Sequence, residues 1–157
     1  MKFWLMKSEP STYSIDSLLK KPKQTDHWEG VRNYQARNFM RDHMKKGDRA
    51  FFYHSSCKTP GIVGMMEIVQ ESHPDASSWD PSSKYFDPKS TPQNPRWFMV
   101  SVHFLEKFKI PIELTQLKTL PALKNMILLK PGNRLSVMPL TTAEWQTILA
   151  FKEKNAL

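Results

Sequence analysis

Short apolar segments separated by turn-forming residues run along the chain, and the longest has the two-residue period of a half-buried strand. Within it Val100, Val102 and Phe104 alternate with Ser101 and His103. The other segments are four to eight residues long, a length that favours strands over helices. The predicted strands are residues 3–6, 50–53, 62–69, 97–108 and 134–137.

Two segments have the three-to-four-residue period of an amphipathic helix. The first carries Ile15, Leu18 and Leu19 behind Ser14, which is a favourable N-cap. The second is expected from about residue 33 to residue 44. Its apolar stripe consists of Ala36, Phe39, Met40 and Met44.

The C-terminal part of the chain also predicts helices. Thr141 and Glu144 form a capping box that opens a terminal helix containing Trp145. A shorter helix is expected at residues 113–117. Strands with short helices inserted between them predict one α+β domain, residues 1–157, folded as a small mixed β-barrel.

A long loop is expected between the third and fourth predicted strands. Residues 72–96 contain five prolines and three aromatic residues, Trp79, Tyr85 and Phe86. Loops of this length in a compact domain are usually functional or mobile. Gly61, just before the strand that precedes the loop, and Gly64, inside it, predict a bulge or the close approach of a ligand or another backbone.

Composition favours a folded protein outside the membrane. Hydrophobic residues make up 39 % of the chain and aromatic residues 11 %, enough for a packed core. Cys57 is the only cysteine, so an intrachain disulfide is excluded and a reducing compartment is expected. No apolar run approaches the roughly 20 residues of a membrane span. We therefore expect a soluble cytoplasmic protein, nuclear if its source is a eukaryote.

The charge balance indicates an anionic partner. The formal net charge is +8 and the isoelectric point is about 9.6, which favours nucleic acid first and acidic membrane surfaces second. Arg37, Arg41 and Lys45 recur every four residues on the second predicted helix. This row suits a phosphate backbone, although an ordinary solvated basic face has the same pattern.

The segment from Trp28 to Asn38 is the most informative part of the chain. Tryptophan offers a flat face for stacking, and arginine and asparagine offer directed hydrogen bonds to base edges or phosphates. We expect Trp28, Asn33 and Ser55 to line one concave pocket. A base inside a duplex would have to be flipped out to enter such a pocket.

Motifs for catalysis are weak. The sequence has no glycine-rich phosphate loop, no paired-cysteine zinc motif and no helical metal-binding pair of histidines. His54 and Cys57 lie three residues apart, but a lone cysteine is usually a small buried hydrophobe. We expect no enzymatic activity, no catalytic residue, no metal and no cofactor.

Six motifs along the chain closely resemble those of the EVE domain family, and together they extend over nearly all of it. Each combines the aromatic, polar and basic residues discussed above with glycine or proline turns. The motifs are residues 4–10, 28–38, 51–57, 60–64, 94–97 and 134–140.

The resemblance implies a PUA-like fold and kinship with YTH domains, which bind methylated adenine in RNA through an aromatic cage. It also implies a reader of modified bases in DNA, especially modified cytosines. Trp28 corresponds to a cage tryptophan of YTH domains, and Trp79 is a candidate second aromatic. By motif, the implied base-binding pocket is Lys7, Ser8, Glu9, Trp28, Val31, Arg32, Asn33, Tyr53, His54, Ser55, Arg134 and Ser136.

The leading hypothesis is a non-enzymatic, monomeric reader of a modified nucleobase, with DNA favoured over RNA as the nucleic-acid partner and no membrane partner. The base would be extruded, stacked on Trp28 and recognised through its edge by polar groups. Two alternatives stay open. One is a nucleic-acid-modifying enzyme or its accessory subunit, and the other is a protein-interaction domain that uses the basic face.

Overall fold

One mixed six-stranded sheet organises the protein. The computed structural model describes residues 1–155. The strands are β1 (Phe3–Ser8), β2 (Thr25–His27), β3 (Arg49–His54), β4 (Gly61–Pro74), β5 (Phe98–Glu113) and β6 (Val137–Leu140). The α-helices are α1 (Ile15–Leu19), α2 (Tyr34–Asn38), α3 (Leu114–Leu117) and α4 (Thr142–Asn155). Short 3-10 turns occupy Pro22–Gln24, Ala76–Trp79, Pro121–Leu123 and Ile127–Leu129, and a π-helical turn, Phe39–His43, follows α2.

The order of the strands is β2-β5-β4-β3-β1-β6, and only β1 and β3 pair in parallel. The sheet is not closed, because β2 and β6 form its two edges. Parallel pairing aligns Ser8 with His54, so β1 and β3 end side by side at one end of the sheet. The site described below lies at that end.

The long β4–β5 hairpin bends the sheet. Its register shifts between Ile62 and Gly64 and at three further points, and such irregularities increase the local twist. A side chain at Gly64 would overlap the carbonyl oxygen of Glu106. The prediction of a bulge and a close backbone approach at these glycines is therefore confirmed.

The two faces of the sheet each carry a hydrophobic core. Successive side chains of β1 point to opposite faces of the sheet. Trp4 and Met6 lie in the first core, which also contains Trp28, and Leu5 lies in the second core, which also contains Trp145. The first core is covered by α1, α2 and the π-helical turn, and the second by α3 and α4. The site is built on the side of the first core.

Several local predictions are confirmed. The Ser14 side chain accepts from the Ser17 amide to cap α1, and Thr141 and Glu144 form the expected capping box before α4. β5, with 16 residues, is the longest strand. The α+β class, the mixed sheet and the short flanking helices are as predicted, with the sheet open.

Three elements differ in kind or position from the prediction, and β4 and β5 also continue past their predicted ends at Val69 and Phe108. Thr25–His27 forms an edge strand where none was expected. The last strand begins at Val137, because the Asn133 side chain accepts from the Leu135 amide and holds the preceding residues in a turn. The second helix changes to a π-helical turn at Phe39 and ends at His43.

No helix in the described part of the chain, residues 1–155, has the length and apolar character needed to cross a membrane.

Candidate functional site

A cavity of about 370 Å³ opens at the end of the sheet where β1 and β3 finish. Four short segments line it, together with Ser136 ahead of β6. The segments are Lys7–Glu9 at the exit of β1, Thr12–Tyr13 in the following turn, His27–Val31 after β2, and Lys84–Tyr85 from the long loop.

The indole of Trp28 is held rigidly in the cavity wall. Its ring meets Phe52 edge-on with centroids 5.2 Å apart, and meets Tyr13 edge-on at 6.2 Å. Only 6 % of Trp28 is exposed, so the residue belongs both to the first core and to the cavity. Tyr13 is fixed in turn by donating to Asp26 Oδ2 at 2.7 Å. Burial and that hydrogen bond raise the pKa of Tyr13, so its hydroxyl stays protonated.

Tyr85 comes from the long loop and packs directly on Gly30. A Cβ atom at residue 30 would lie 2.6 Å from the Tyr85 ring, and the φ angle of Gly30 is +85°. Both the close approach and the left-handed backbone require glycine. The glycine at residue 30 therefore allows Tyr85 to join Trp28 and Tyr13 as a further aromatic ring at the cavity.

A buried ion pair anchors the long loop beside the cavity. Arg32 Nη1 donates to Asp75 Oδ2 at 3.1 Å, and the Asp75 side chain has no exposed surface. The same carboxylate oxygen accepts from the Gly30 amide at 2.9 Å. Arg32 Nε donates to the carbonyl of Tyr85 at 3.0 Å. Arg32 therefore connects the segment before α2 to the long loop at two points, Asp75 and Tyr85.

Polar groups at the cavity have unused hydrogen-bonding capacity. Lys7 lines the cavity, but its side chain lies on the face of the sheet that carries the second core, with the ammonium 5.8 Å from the Tyr53 ring. Within residues 1–155 that ammonium forms no ion pair or hydrogen bond. Burial lowers the pKa of Lys7. Burial, and then the charges of Asp75 and Asp26, raise the pKa of Glu29. Carboxylate and hydroxyl groups at the cavity can thus meet donors and acceptors on a ligand.

Half of the residues predicted for the pocket line this cavity: Lys7, Ser8, Glu9, Trp28, Val31 and Ser136. Ser8 also fixes the turn, because its hydroxyl donates to the Tyr13 carbonyl at 2.7 Å. Their roles in binding a base stay predictions.

The other predicted residues lie outside the cavity wall, and most have a structural task. Asn33 caps α2 by accepting from the Ala36 amide at 2.9 Å. His54 Nε2 accepts from the Ile15 amide at 3.1 Å. Tyr53 points into the second core. Arg32 is occupied by Asp75. Ser55 and Arg134 also lie outside it.

The three cations expected to bind phosphate, Arg37, Arg41 and Lys45, already have partners within the protein. Arg37 donates to the Arg96 carbonyl and to Asn38. Arg41 pairs with the adjacent Asp42 at 2.8 Å. Lys45 lies past the end of the helical segment, 3.9 Å from Glu71. The prediction assumed one continuous α-helix, in which residues four apart lie on the same face. The π-helical turn changes the rotation per residue, so the three side chains are not aligned on one face.

Sequence reasoning missed Tyr85 and six further lining residues, namely Thr12, Tyr13, His27, Glu29, Gly30 and Lys84. Trp79, the candidate second aromatic, does not line the cavity. The signal for Tyr85 was its place in a long aromatic loop, but its contact with Gly30 depends on tertiary structure. Across residues 1–155 no group of three or more acidic, histidine or cysteine side chains is arranged to hold a metal.

Comparison with known proteins gives the same family over nearly the whole chain. The model of the EVE domain matches residues 2–151. Human thymocyte nuclear protein 1 is 46 % identical over 169 residues, which is 97 % of this chain and 74 % of the human protein.

Solved structures agree. The human THYN1 protein in complex with DNA containing 5-methylcytosine has 45 % identity, a TM-score of 0.92 and 98 % coverage of both chains. A YTH domain of Zygosaccharomyces rouxii in complex with N6-methyladenosine RNA has a TM-score of 0.56 at 15 % identity, covering 97 % of this chain and 86 % of that one. The second likeness shows a common fold alone. This chain belongs to the EVE domain family.

Proposed function

We propose that the protein reads a modified nucleobase, most favourably 5-methylcytosine in DNA, by taking the extruded base into the cavity beside Trp28. The observation that carries the proposal is the aromatic cavity itself, which Trp28, Tyr13 and Tyr85 all line. The human relative in complex with 5-methylcytosine DNA, 45 % identical to this chain, supports the choice of ligand. In a eukaryotic source the expected location is the nucleus.

The size of the cavity favours one base. Pockets for small molecules measure about 300–1,000 Å³, and this one, at about 370 Å³, is near the lower limit. Stacking on an aromatic ring stabilises a bound base by about 1–3 kcal/mol. Because Gly30 has no side chain, Tyr85 can approach the segment closely enough to act as a wall.

The polar groups match the edge of cytosine. Its exocyclic amine is a donor, while its ring nitrogen and carbonyl oxygen are acceptors. Glu9 and Glu29 supply acceptors, and Lys7 and Ser136 supply donors. Lysine has a flexible stem with three donors, so in this proposal Lys7 turns from Tyr53, on the other face of the sheet, around the end of β1 towards an acceptor in the cavity.

Phosphate contacts would set general affinity, and we keep Arg37, Arg41 and Lys45 as their proposed sites. Each lost contact should flatten the slope of log affinity against log salt by about 0.7–0.9. The Arg37→Ala, Arg41→Ala double variant tests this face in a salt titration. An unchanged slope assigns the phosphates to other cations.

The central experiment is calorimetric titration with two DNA duplexes that differ by one 5-methylcytosine. The wild type should bind the modified duplex more tightly. Tyr85→Ala should remove much of that preference, whereas Phe86→Ala, its exposed neighbour in the same loop, should retain it. Trp28→Phe is the suitable change at residue 28, because Trp→Ala in a core costs about 3–5 kcal/mol of folding stability.

Two further measurements separate the alternatives. Mass spectrometry of the recovered duplex should show no chemical change, and turnover would favour the enzyme hypothesis. A parallel titration with RNA containing N6-methyladenosine tests the choice of nucleic acid. Equal affinity of the wild type for both DNA duplexes, or a preference unaffected by Trp28→Phe and Tyr85→Ala, would contradict the proposal.

A further inference from the structure

An exposed aromatic ring lies outside the cavity on a rigid support. Half of the surface of Tyr34, 50 %, is exposed. Its ring stacks on Trp97 with centroids 4.7 Å apart and planes 24° apart. Trp97 is only 5 % exposed, and its Nε1 donates to Asp87 at 2.7 Å. The orientation of Tyr34 is thereby set before any partner binds.

Guanidinium groups lie beside this ring without covering its outer face. Arg37 is 4.7 Å from the Tyr34 centroid and 5.8 Å from the Trp97 centroid. If it lay on the far face of Tyr34, its distance from Trp97 would be nearly twice the distance between the two rings. Arg96 Nη1 donates to the Tyr34 hydroxyl at 3.3 Å. The exposed surface therefore combines a π face with two positive charges.

The ring is connected to the cavity through a continuous set of stacked groups. The Arg32 guanidinium lies 5.4 Å from the Trp97 centroid and 5.6 Å from the Tyr85 centroid. Tyr85 lines the cavity. We call this set, Tyr85, Arg32, Trp97 and Tyr34, the aromatic row. It extends from the cavity wall to the protein surface.

We infer that the exposed face of Tyr34 is a second stacking site, which receives an unpaired base near the nucleotide extruded into the cavity. The position relative to that nucleotide rests on the proposed function. An aromatic face flanked by arginines suits a strand of nucleic acid, because the ring stacks on any base and the charges meet the phosphates. The net charge of +8 agrees with such a partner.

The distance fits a neighbouring nucleotide. Val31 lines the cavity, and Tyr34 follows three residues later, which limits their separation to about 11 Å along the backbone. We therefore expect the base on Tyr34 to be a near neighbour of the extruded nucleotide in the same strand.

The test combines protein variants with abasic nucleotides in a single-stranded oligonucleotide carrying one 5-methylcytosine. An abasic nucleotide removes a base and keeps its phosphate. The abasic nucleotide is placed in turn at each of the three positions before and after the 5-methylcytosine. At one of these positions it should weaken wild-type binding about tenfold, the loss expected for one stacked base. Tyr34→Ala should weaken binding of the intact oligonucleotide equally, and the two losses should not add.

Three controls make the result specific. Tyr34→Phe keeps the ring and should bind like the wild type. Ile110→Ala removes a distant apolar side chain that is 57 % exposed and should have no effect. Thermal unfolding checks that Tyr34→Ala is folded. Binding that is unchanged in Tyr34→Ala, or reduced equally in Tyr34→Phe, would overturn the inference.

Failure of the proposed function has a different signature. Tyr34→Ala should weaken unmodified and modified single strands by the same factor, because the base on Tyr34 is an ordinary one. If the wild type has no preference for 5-methylcytosine but Tyr34→Ala still weakens unmodified strands, the cavity proposal fails and the stacking site stands. If the preference is present and Tyr34→Ala binds both strands normally, the stacking site fails alone.

Discussion

The ring of Tyr85 occupies the space that a side chain at Gly30 would need. Its nearest atom lies 2.6 Å from the position of a Cβ at residue 30. The two residues are 55 positions apart in the sequence, and their contact joins the segment after β2 to the long loop. The aromatic wall of the cavity therefore depends on the absence of one carbon atom.

Gly30→Ala should lower both stability and base binding. The left-handed backbone alone costs a residue with a side chain about 1–2 kcal/mol, and the added methyl group must also displace Tyr85. Gly47→Ala is the matched control, because Gly47 has a φ angle of +95° and nothing within 4 Å of the added atom. Urea unfolding should show a loss in both variants, while titration with modified DNA should show a loss only in Gly30→Ala. Equal binding by the two variants would mean that the position of Tyr85 does not matter.

Lys7→Met should weaken ligand binding and increase stability. The ammonium is half-buried, and burial lowers the pKa of Lys7 without a compensating carboxylate within residues 1–155. Methionine has a similar length and no charge, so the free energy of unfolding should rise by about 0.5–1 kcal/mol, within the range of single stabilising substitutions. Thermal unfolding and calorimetric titration measure the two effects. A variant that is less stable, with unchanged affinity, would show that Lys7 supports the fold instead.

Asp75→Ala should release the long loop. The carboxylate is fully buried and accepts from the Gly30 amide and from Arg32, so its removal leaves a partly buried guanidinium without its partner. Losses from such changes are about 3–5 kcal/mol, and the exposure of Arg32 places this one near the lower value. Asp42→Ala, which removes an exposed partner of Arg41, should not change stability measurably. Similar unfolding midpoints for the two variants would contradict the anchoring role of Asp75.

Stability should fall as the pH drops through the range in which His54 takes up a proton. Burial lowers the pKa of His54 below its ordinary value of 6.5, and Asp16 and Lys107 oppose each other at smaller magnitude. The unfolded chain therefore binds a proton at higher pH than the folded one. The contribution is fully present above pH 6.5 and is lost as the pH falls towards the folded-state pKa.

His54→Gln tests this dependence, because an amide oxygen can still accept from the Ile15 amide but does not titrate. Between pH 5 and pH 8, the free energy of unfolding should change more with pH in the wild type than in the variant. Parallel dependences would assign the acid sensitivity to other groups.

Features set by neighbouring residues were predictable from the sequence, whereas features set by distant contacts were not. The cap at Ser14 and the box at Thr141 follow from side chains that bond to amides three residues away. β2 was missed because Thr25–His27 is short and polar, and it becomes a strand only by pairing with β5. Apolar periodicity indicates which residues are buried, but it does not distinguish an α-helical turn from the π-helical turn at Phe39–His43.

The same difference between local and distant contacts separates the predicted from the unpredicted residues of the candidate site. Trp28 and the exit of β1 were predicted because residue types and family motifs mark them. Asn33 was expected at the pocket because its amide suits a base edge, yet the same amide suits an N-cap, and the local bond to Ala36 takes it. Tyr85 gave no comparable signal, because the Arg32–Asp75 pair that positions its loop joins residues 43 apart.

The division of the interior into two cores has a consequence for how such proteins diverge. The cavity draws on the core that contains Trp28, while α4 packs against the core that contains Phe51 and Trp145. Substitutions beneath α4 are therefore expected to change the melting temperature without changing the lining of the cavity. Stability and the chemistry of the cavity can be altered separately, on opposite sides of one sheet.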